Sequence, residues 1–226
     1  MKTTPIIIAL VISILALCST RSHAQINNWR AWQGEQAHII SVQFGIDYGF
    51  VLGVGYAYKL NTMLPILLNV DVSMPFGETM LDDYKIRIGG QAELVRLGDF
   101  STTFKAQGIV RRLSNIAANY LNIGSEFGII AGIYRPTWFA AGEFTYDKTL
   151  LTNIQHSEIA RKNSFHNPRD GWYSSSGGNF LYGIQGGYSF LGLDVNARLG
   201  AILTEDFKGT PLYFPFYGVL GMNVRF

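Results

Sequence analysis

Apolar residues alternate with polar or glycine residues along the chain from Ile39 to its end, and this alternation constrains the fold more than any other feature. The clearest segment runs from Leu193 to Leu203, where every second residue is apolar and the residues between are mostly polar or glycine. Successive side chains of a strand point to opposite faces, so each such segment predicts a strand with one apolar face. Ten segments follow this pattern, which predicts an all-β fold.

The predicted connections between these strands alternate in length. Short connections fall near Asn61-Thr62, Gly98-Asp99, Arg135-Pro136 and Leu191-Gly192, and longer ones cover 75–83, 114–121, 148–179 and 204–212. The first connection, at 47–49, is the exception: it is a tight turn at a place where the alternation of short and long connections predicts a longer loop. Tight turns at one end and longer loops at the other are typical of outer-membrane barrels. We therefore expect a closed antiparallel transmembrane β-barrel of about ten strands, or of eight if the first hairpin is misread.

A soluble β-sandwich or a lipocalin-like barrel is the alternative fold, because its strands also alternate. The outer face of a soluble sandwich is dense in Lys, Glu, Thr and Ser, whereas the polar face here is rich in glycine and isolated charges. The chain has 25 glycines and 14% aromatic residues. Several aromatic residues lie near predicted strand ends, as in the interfacial girdles of membrane barrels: Tyr56, Tyr58, Tyr134, Trp138, Tyr188 and Phe190. This distribution favours the membrane barrel.

The first 24 residues read as a cleaved secretory signal peptide. Lys2 is followed by an apolar run from Ile6 to Leu17, and a small-x-small pattern ends at Ala24. A retained membrane anchor is the alternative, but this run of about a dozen residues is shorter than the roughly 18 to 20 that a spanning helix needs. A lipoprotein anchored at Cys18 is a further alternative, which the large Leu17 before it disfavours.

The balance of charge and the lack of cysteine limit the possible functions. Cleavage after Ala24 removes Lys2 and Arg21, so 16 of the 18 basic residues remain against 16 acidic ones. Binding to nucleic acid requires a basic surface stripe, which this balanced charge does not provide, so we expect no nucleic-acid partner. Cleavage also removes Cys18, the sole cysteine, which excludes disulfides, thiol catalysis and thiolate metal sites. The remaining histidines have no compact ligand spacing and no phosphate loop is present, so no metal or cofactor is expected.

The chain ends in GMNVRF, in which Gly221, Val224 and Phe226 resemble the carboxy-terminal targeting signal of bacterial outer-membrane β-barrels. Val219 departs from that pattern, which usually has a polar residue two positions before the glycine. The resemblance covers 39–226. It implies a place in the outer membrane of a Gram-negative bacterium, with outer-membrane lipids around the barrel and recognition of the last strand by the barrel-assembly machinery. Residues 25–38, with Trp29 and Trp32, precede this barrel and are predicted to be a short periplasmic lead-in, or alternatively a segment that lies at the membrane interface.

If the apolar face meets lipid, the charged residues of the other face line the interior. Seven basic and seven acidic residues share that face, and charges in a confined space of lowered dielectric are expected to pair. The predicted lumen network comprises Lys59, Asp71, Lys85, Arg87, Glu93, Lys105, Arg111, Glu126, Glu143, Asp194, Arg198 and Arg225, together with Asp47 and Asp147. We expect an ion-paired core, and the inward glycines leave room for a narrow passage at most.

The predicted loop 148–179 is the largest irregularity in the chain. A loop this long is usually functional or disordered. Its candidate contact residues are His156, His166, Trp172 and Tyr173. We therefore expect a non-enzymatic barrel of the cell envelope, with a structural or surface-interaction role through this loop and an unknown surface ligand.

Two alternatives to this role stay open. The first is a narrow, porin-like channel or transporter. The second is a lipid- or peptide-hydrolysing enzyme at the outer rim. His156-Ser157-Glu158 has the residue types for deacylation, and Asp82-Asp83 with a histidine could activate water.

Overall fold

Ten antiparallel strands form a closed barrel in the computed structural model, which describes residues 26–47, 49–75, 83–163, 168–205 and 215–226. Each strand pairs with its neighbours in sequence, and the first strand closes the barrel on the last. The strands are β1 His38–Ile46, β2 Phe50–Leu60, β3 Ile66–Pro75, β4 Asp83–Leu97, β5 Phe100–Ser114, β6 Ala118–Tyr134, β7 Trp138–His156, β8 Gly171–Phe190, β9 Leu193–Thr204 and β10 Phe216–Arg225. The predicted all-β antiparallel barrel of ten strands is confirmed, and the count of eight is wrong.

The barrel buries its polar face and exposes its apolar face. In β1, Ser41 and Gln43 point into the lumen and are buried, whereas Phe44 is 51% exposed on the outside. The same alternation follows the other strands, because a period of two gives every strand one inward and one outward row. The closed ladder pairs the backbone polar groups of neighbouring strands around the barrel, although β8 pairs with β9 only from Asn179 onward.

Strand lengths divide the barrel into a low side and a high side. Strands β1, β2, β3, β9 and β10 have 9 to 12 residues, whereas β4 to β8 have 15 to 20. The ends of β5 to β8 opposite the short turns therefore continue beyond the low side. We call this part the tall wall, formed by 111–114, 118–123, 151–156 and 171–174.

A bulge in β7 reorients the side chains of the tall wall. Leu150 has no partner in β6 or β8. Its neighbours Thr149 and Leu151 pair with consecutive residues of β6, and both also pair with β8. An extra residue in one strand shifts the alternation of everything beyond it. Thr152 consequently lies on the lumen side, where its hydroxyl group donates a 2.8 Å hydrogen bond to Asn122, and Asn153 lies on the outside.

The prediction of a loop over 148–179 is wrong at both ends. Strand β7 continues to His156 and β8 begins at Gly171, so the connection covers 157–170, and its described part includes the short helix α1 Glu158–Asn163. The predicted loop at 114–121 shortens in the same way, to 115–117. Both faces of the tall wall are largely accessible, so its strands lack the apolar row on which the sequence prediction depended. Among the described residues, no helix is long and apolar enough to cross a membrane.

Residues 26–32 lie in the lumen at the end where the short turns lie, whereas residues 33–35 are exposed; we call the segment 26–36 the plug. Ile26 and Trp29 are 3% and 7% exposed within the core of that end. The core around them consists of Ile39, Ala57, Leu67, Ile130, Tyr134, Phe139 and Ala141. The predicted lead-in over 25–38 is therefore corrected for residues 26–32, which lie inside the barrel, because apolar inward side chains at this end bury the ring of Trp29.

Candidate functional site

The middle of the lumen is organised around Arg87 on β4. Its guanidinium group lies 3.2 Å from Asp47, 3.4 Å from Asp71 and 3.5 Å from Glu126. Lys105 Nζ lies 2.5 Å from the other oxygen atom of Glu126. These side chains come from β3 to β6 and from the end of β1, so the network joins nearly half of the wall. A cation shared among several buried carboxylates satisfies them together.

A second group of ion pairs lies on the β7 to β10 side of the lumen. Arg198 contacts Glu143 through Nη2 at 2.8 Å and through Nε at 3.0 Å. The Tyr217 hydroxyl group donates a hydrogen bond to the same carboxylate, and the Arg198 guanidinium lies 4.7 Å from the Tyr217 ring centroid. Arg225 on β10 also pairs with Asp194 on β9 at 3.0 Å. Lys85 on β4 pairs with Asp147 on β7 at 3.2 Å, which links this group to the β4 side of the lumen.

The other predicted lumen charges lie nearer the two ends of the barrel. Arg111 pairs with Asp83 at 2.9 Å on the side of the long connections. At the opposite end, Lys59 Nζ lies 4.7 Å from the Trp32 ring centroid, a cation–π contact rather than an ion pair. Every charge of the predicted network therefore has a contact inside the barrel. Two of those contacts, with Trp32 and with Arg30, come from the plug, which the sequence reasoning placed outside the barrel.

Direct hydrogen bonds attach the plug to the wall. Arg30 Nη1 lies 2.7 Å from Glu93, and Arg30 Nη2 donates to Ser101 at 2.6 Å. Asn28, which is fully buried, donates to the Arg135 carbonyl group and to Ser189, both at 2.9 Å. Two further hydrogen bonds run from Trp29 Nε1 to Thr103 at 2.8 Å and from Asn223 to the Ile26 carbonyl group at 2.5 Å. The plug is thus fixed to β4, β5, β8, β10 and the turn after β6.

The predicted assembly residues lie along β10. Gly221 faces the lumen, where a β-carbon would lie 2.5 Å from Asn196 Oδ1, so any side chain at this position would have to displace the Asn196 side chain. Val224 and Phe226 point outward and are exposed. The Phe226 carbonyl group accepts hydrogen bonds from the amides of Ala37 and His38, and its ring stacks on His38 with centroids 5.3 Å apart. The last residue is thereby held at the seam where β1 and β10 close the barrel.

At the top of the tall wall, Asp170 connects the two ends of the β7–β8 connection. Its Oδ1 accepts hydrogen bonds from the backbone amide and from Nδ1 of His156, both at 2.9 Å, and its Oδ2 pairs with Arg161. The hydrogen bond from the His156 amide, then the ring of His156 and the charge of Arg161, lower the pKa of Asp170. The carboxylate therefore stays ionised and holds the connection closed.

Ser157 serves as the N-cap of helix α1. Its hydroxyl oxygen accepts a hydrogen bond from the Ala160 amide at 3.2 Å, and the hydroxyl group donates to the Ile116 carbonyl at 2.7 Å. The His156 ring is occupied by Asp170, and Glu158 lies 3.7 Å from Lys162. His156, Ser157 and Glu158 therefore do not converge on one another as a catalytic triad requires.

The predicted loop contacts gather around this tip. Trp172 opposes Asn153 on the outward face, whereas Tyr173 opposes Thr152 on the lumen side and donates through its hydroxyl group to the Arg169 carbonyl at 2.7 Å. His166 and Asp82 lie outside the described residues. Within the described ranges, no three His, Cys, Asp or Glu side chains cluster as metal ligands would.

A polar cleft of about 460 Å³ lies on the outer face of the tall wall beside the tip. Three carboxamide side chains line it: Asn119 on β6, with Asn153 and Gln155 on β7. The rest of its lining is His156, Arg161, Asp170 and Gly171. The sequence reasoning missed the three carboxamides because it placed them in loops. Recognising the alternation of Asn153 and Gln155 around Ile154 as a strand would have placed them on one face.

Comparison of the chain with models of known protein families finds no match. Comparison with curated proteins finds no significant relative in sequence.

Proposed function

We propose that the protein is an outer-membrane β-barrel that is closed to free passage and uses its tall wall as an interaction surface outside the cell. A band of large apolar side chains around the exterior supports the membrane location. It includes Phe44, Leu68, Ile88, Phe127, Ile129, Phe144, Ile184, Leu199, Leu220 and Met222, all exposed. A continuous apolar exterior of this kind is unfavourable in water and favourable in the hydrocarbon core of a bilayer.

The main support for an interaction role is the length of the strands that form the tall wall. A strand tilted across a bilayer needs about 9 to 11 residues. Strands β7 and β8 have 19 and 20 residues, so nearly half of each extends beyond what spanning requires. In the described part of the connection between them, a short helix follows β7, and Arg161 of that helix pairs with Asp170 just before β8. An ordered projection above the membrane presents a rigid surface to a partner.

The filling of the lumen supports the closed state. Buried ion pairs between nearby strands line the middle of the barrel, and the plug occupies the end with the short turns. Eight-stranded barrels have an interior that side chains just fill, whereas barrels of 16 strands keep an aqueous channel. A ten-stranded barrel with an additional segment inside lies at the filled end of that range.

A narrow channel is the second candidate function, and unpaired polar groups in the lumen favour it. The buried carboxamides of Gln43, Gln107 and Asn196 have no hydrogen-bond partner within the described part of the chain. Buried polar groups without protein partners are usual sites for internal water. A file of such waters would give a passage that the plug closes at one end.

Cysteine labelling on intact cells tests the location and the orientation together. The sole cysteine, Cys18, lies in the predicted signal and is replaced by serine, so that single cysteines can be introduced. Glu158→Cys probes the tip of the tall wall and Met63→Cys probes the opposite end; both side chains are highly exposed. A membrane-impermeant maleimide is expected to label E158C on intact cells and M63C only after the outer membrane is permeabilised. Labelling in the reverse order would contradict the orientation, and recovery of both variants in the soluble fraction would contradict the membrane location.

A further inference from the structure

The polar cleft of the tall wall combines groups that recognise hydroxyl-rich ligands. Asn119 and Gln155 oppose each other directly across β6 and β7, and Asn153 lies two residues along the same face. Opposed side chains have β-carbons about 4.5 to 5.5 Å apart, and alternate residues of a strand are about 7 Å apart. The three carboxamides therefore form a compact triangle. Each carboxamide presents both a donor and an acceptor, which matches a hydroxyl group of either orientation.

Much of the hydrogen-bonding capacity of this triangle is available. Asn119 Oδ1 accepts a hydrogen bond from the Ser114 hydroxyl group, which leaves its NH₂ group for a ligand. The side-chain amides of Asn153 and Gln155 make no hydrogen bond with any described residue. The neighbouring charged groups are already engaged, since Asp170 is bound to both His156 and Arg161. The cleft thus presents neutral carboxamide groups next to a pair of opposite charges, Asp170 and Arg161, that neutralise each other.

An exposed aromatic ring lies next to the carboxamides. Trp172 is 56% exposed and opposes Asn153 directly across β7 and β8, so its indole ring belongs to the same outward face. An exposed indole offers a flat apolar surface beside polar groups. A sugar ring has the matching character, with an apolar face of C–H groups and an edge of hydroxyl groups. The cleft volume of about 460 Å³ falls within the roughly 300 to 1,000 Å³ of small-molecule sites.

We infer that this cleft is a binding site for a neutral saccharide, with Asn119, Asn153 and Gln155 on its hydroxyl groups. Trp172 lies beside the cleft rather than in its lining, and from its position opposite Asn153 it would contact one face of the sugar ring. This inference rests on the proposed function, because the tall wall must face the outside medium to meet such a ligand. We expect neutral sugars to be preferred over acidic ones, because the Arg161 guanidinium in the cleft lining is already paired with Asp170.

The test is binding of the full chain, purified in detergent, to a panel of neutral oligosaccharides and their carboxylated counterparts. The oligosaccharides are supplied free and, in a second arm, attached to lipid in vesicles. The expected result is binding of neutral members, with affinity lowered about tenfold or more in Asn153→Ala and Gln155→Ala, as the loss of one or two hydrogen bonds predicts. Trp172→Ala is expected to abolish binding. Binding in both arms assigns the site to free glycans, and binding in the vesicle arm alone assigns it to a glycolipid.

Trp138→Ala is the matched control, because this exposed tryptophan lies on the same strand pair at the opposite end of the barrel. It is expected to bind as the unaltered chain does, and circular dichroism checks that every variant is folded. Preference for the carboxylated members, or binding unaffected by Trp172→Ala, would overturn the inference. Failure to bind any member would also overturn it, while labelling of E158C on intact cells would leave the proposed function standing.

Discussion

At the scale of single residues, Asp170 makes closure of the β7–β8 connection dependent on pH. Its pKa is lowered by the His156 amide, so its contribution to order is complete above the ordinary aspartate value of about 3.9 and is lost as pH falls through the lowered value. We expect NMR titration of the Asp170 carboxyl carbon to show a midpoint below that of an exposed aspartate. His156→Pro, which removes both the amide and the imidazole donor, should move the midpoint upward, and His156→Ala, which keeps the amide, should move it less. A midpoint at or above the ordinary value in the unaltered chain would contradict the arrangement.

Arg87 is the residue whose loss should affect the barrel most. Replacing it with methionine leaves Asp71 and Glu126 buried with one cation fewer, and breaking a buried pair in this way costs about 3 to 5 kcal/mol. Arg135→Met is the control, since Arg135 pairs with Asp99 on the surface and such pairs contribute about 0 to 1 kcal/mol. Equilibrium unfolding by urea in vesicles measures both free energies. Equal small losses in the two variants would show that the lumen network does not stabilise the barrel.

At the scale of elements, the plug should decide whether the barrel conducts ions. Deleting 26–36 removes the side chains that fill the end with the short turns, whereas the ladder between β1 and β10 is unchanged. We expect the unaltered chain to be silent in a planar bilayer and the deletion variant to show discrete openings. Deletion of 157–170 is the control, because it removes a similar length of chain and leaves the lumen filled. Conductance by the unaltered chain would contradict the closed state, and silence of both deletions would assign closure to the ion pairs alone.

The same elements show where prediction from sequence succeeds. Ten strands and their inward charges followed from a period of two, because one face of each strand meets the polar lumen and the other an apolar exterior. Beyond the bulge at Leu150 both faces of the wall are accessible, so the difference between a polar and an apolar face disappears there. For this reason the sequence pattern predicted a loop where β7 ends and β8 begins. The plug depends on contacts between distant residues, such as the hydrogen bond between Asn28 and Arg135, 107 positions apart. A short segment without periodicity carries no local signal for such contacts.

At the scale of the whole molecule, the barrel is closed by one seam, and its last residue completes that seam. Strands β1 and β10 pair over eight positions, and beyond them Phe226 bonds to Ala37 and His38. A terminal strand that offers its edge can pair with another sheet before the barrel closes. The same strand would then serve first for recognition during assembly and afterwards for closure.

Phe226→Glu separates these two roles. If the assembly machinery recognises the terminal aromatic residue, F226E should accumulate in the outer membrane several-fold less than the unaltered chain, as quantified by immunoblotting of membrane fractions. Purified F226E should nevertheless refold from urea into detergent micelles, because most of the seam is backbone pairing that the substitution leaves intact. Phe190→Glu is the control, since this exposed aromatic residue lies at the same end of the barrel on β8. Equal accumulation of F226E and the unaltered chain would contradict recognition, whereas failure of F226E to refold in micelles would assign the defect to closure.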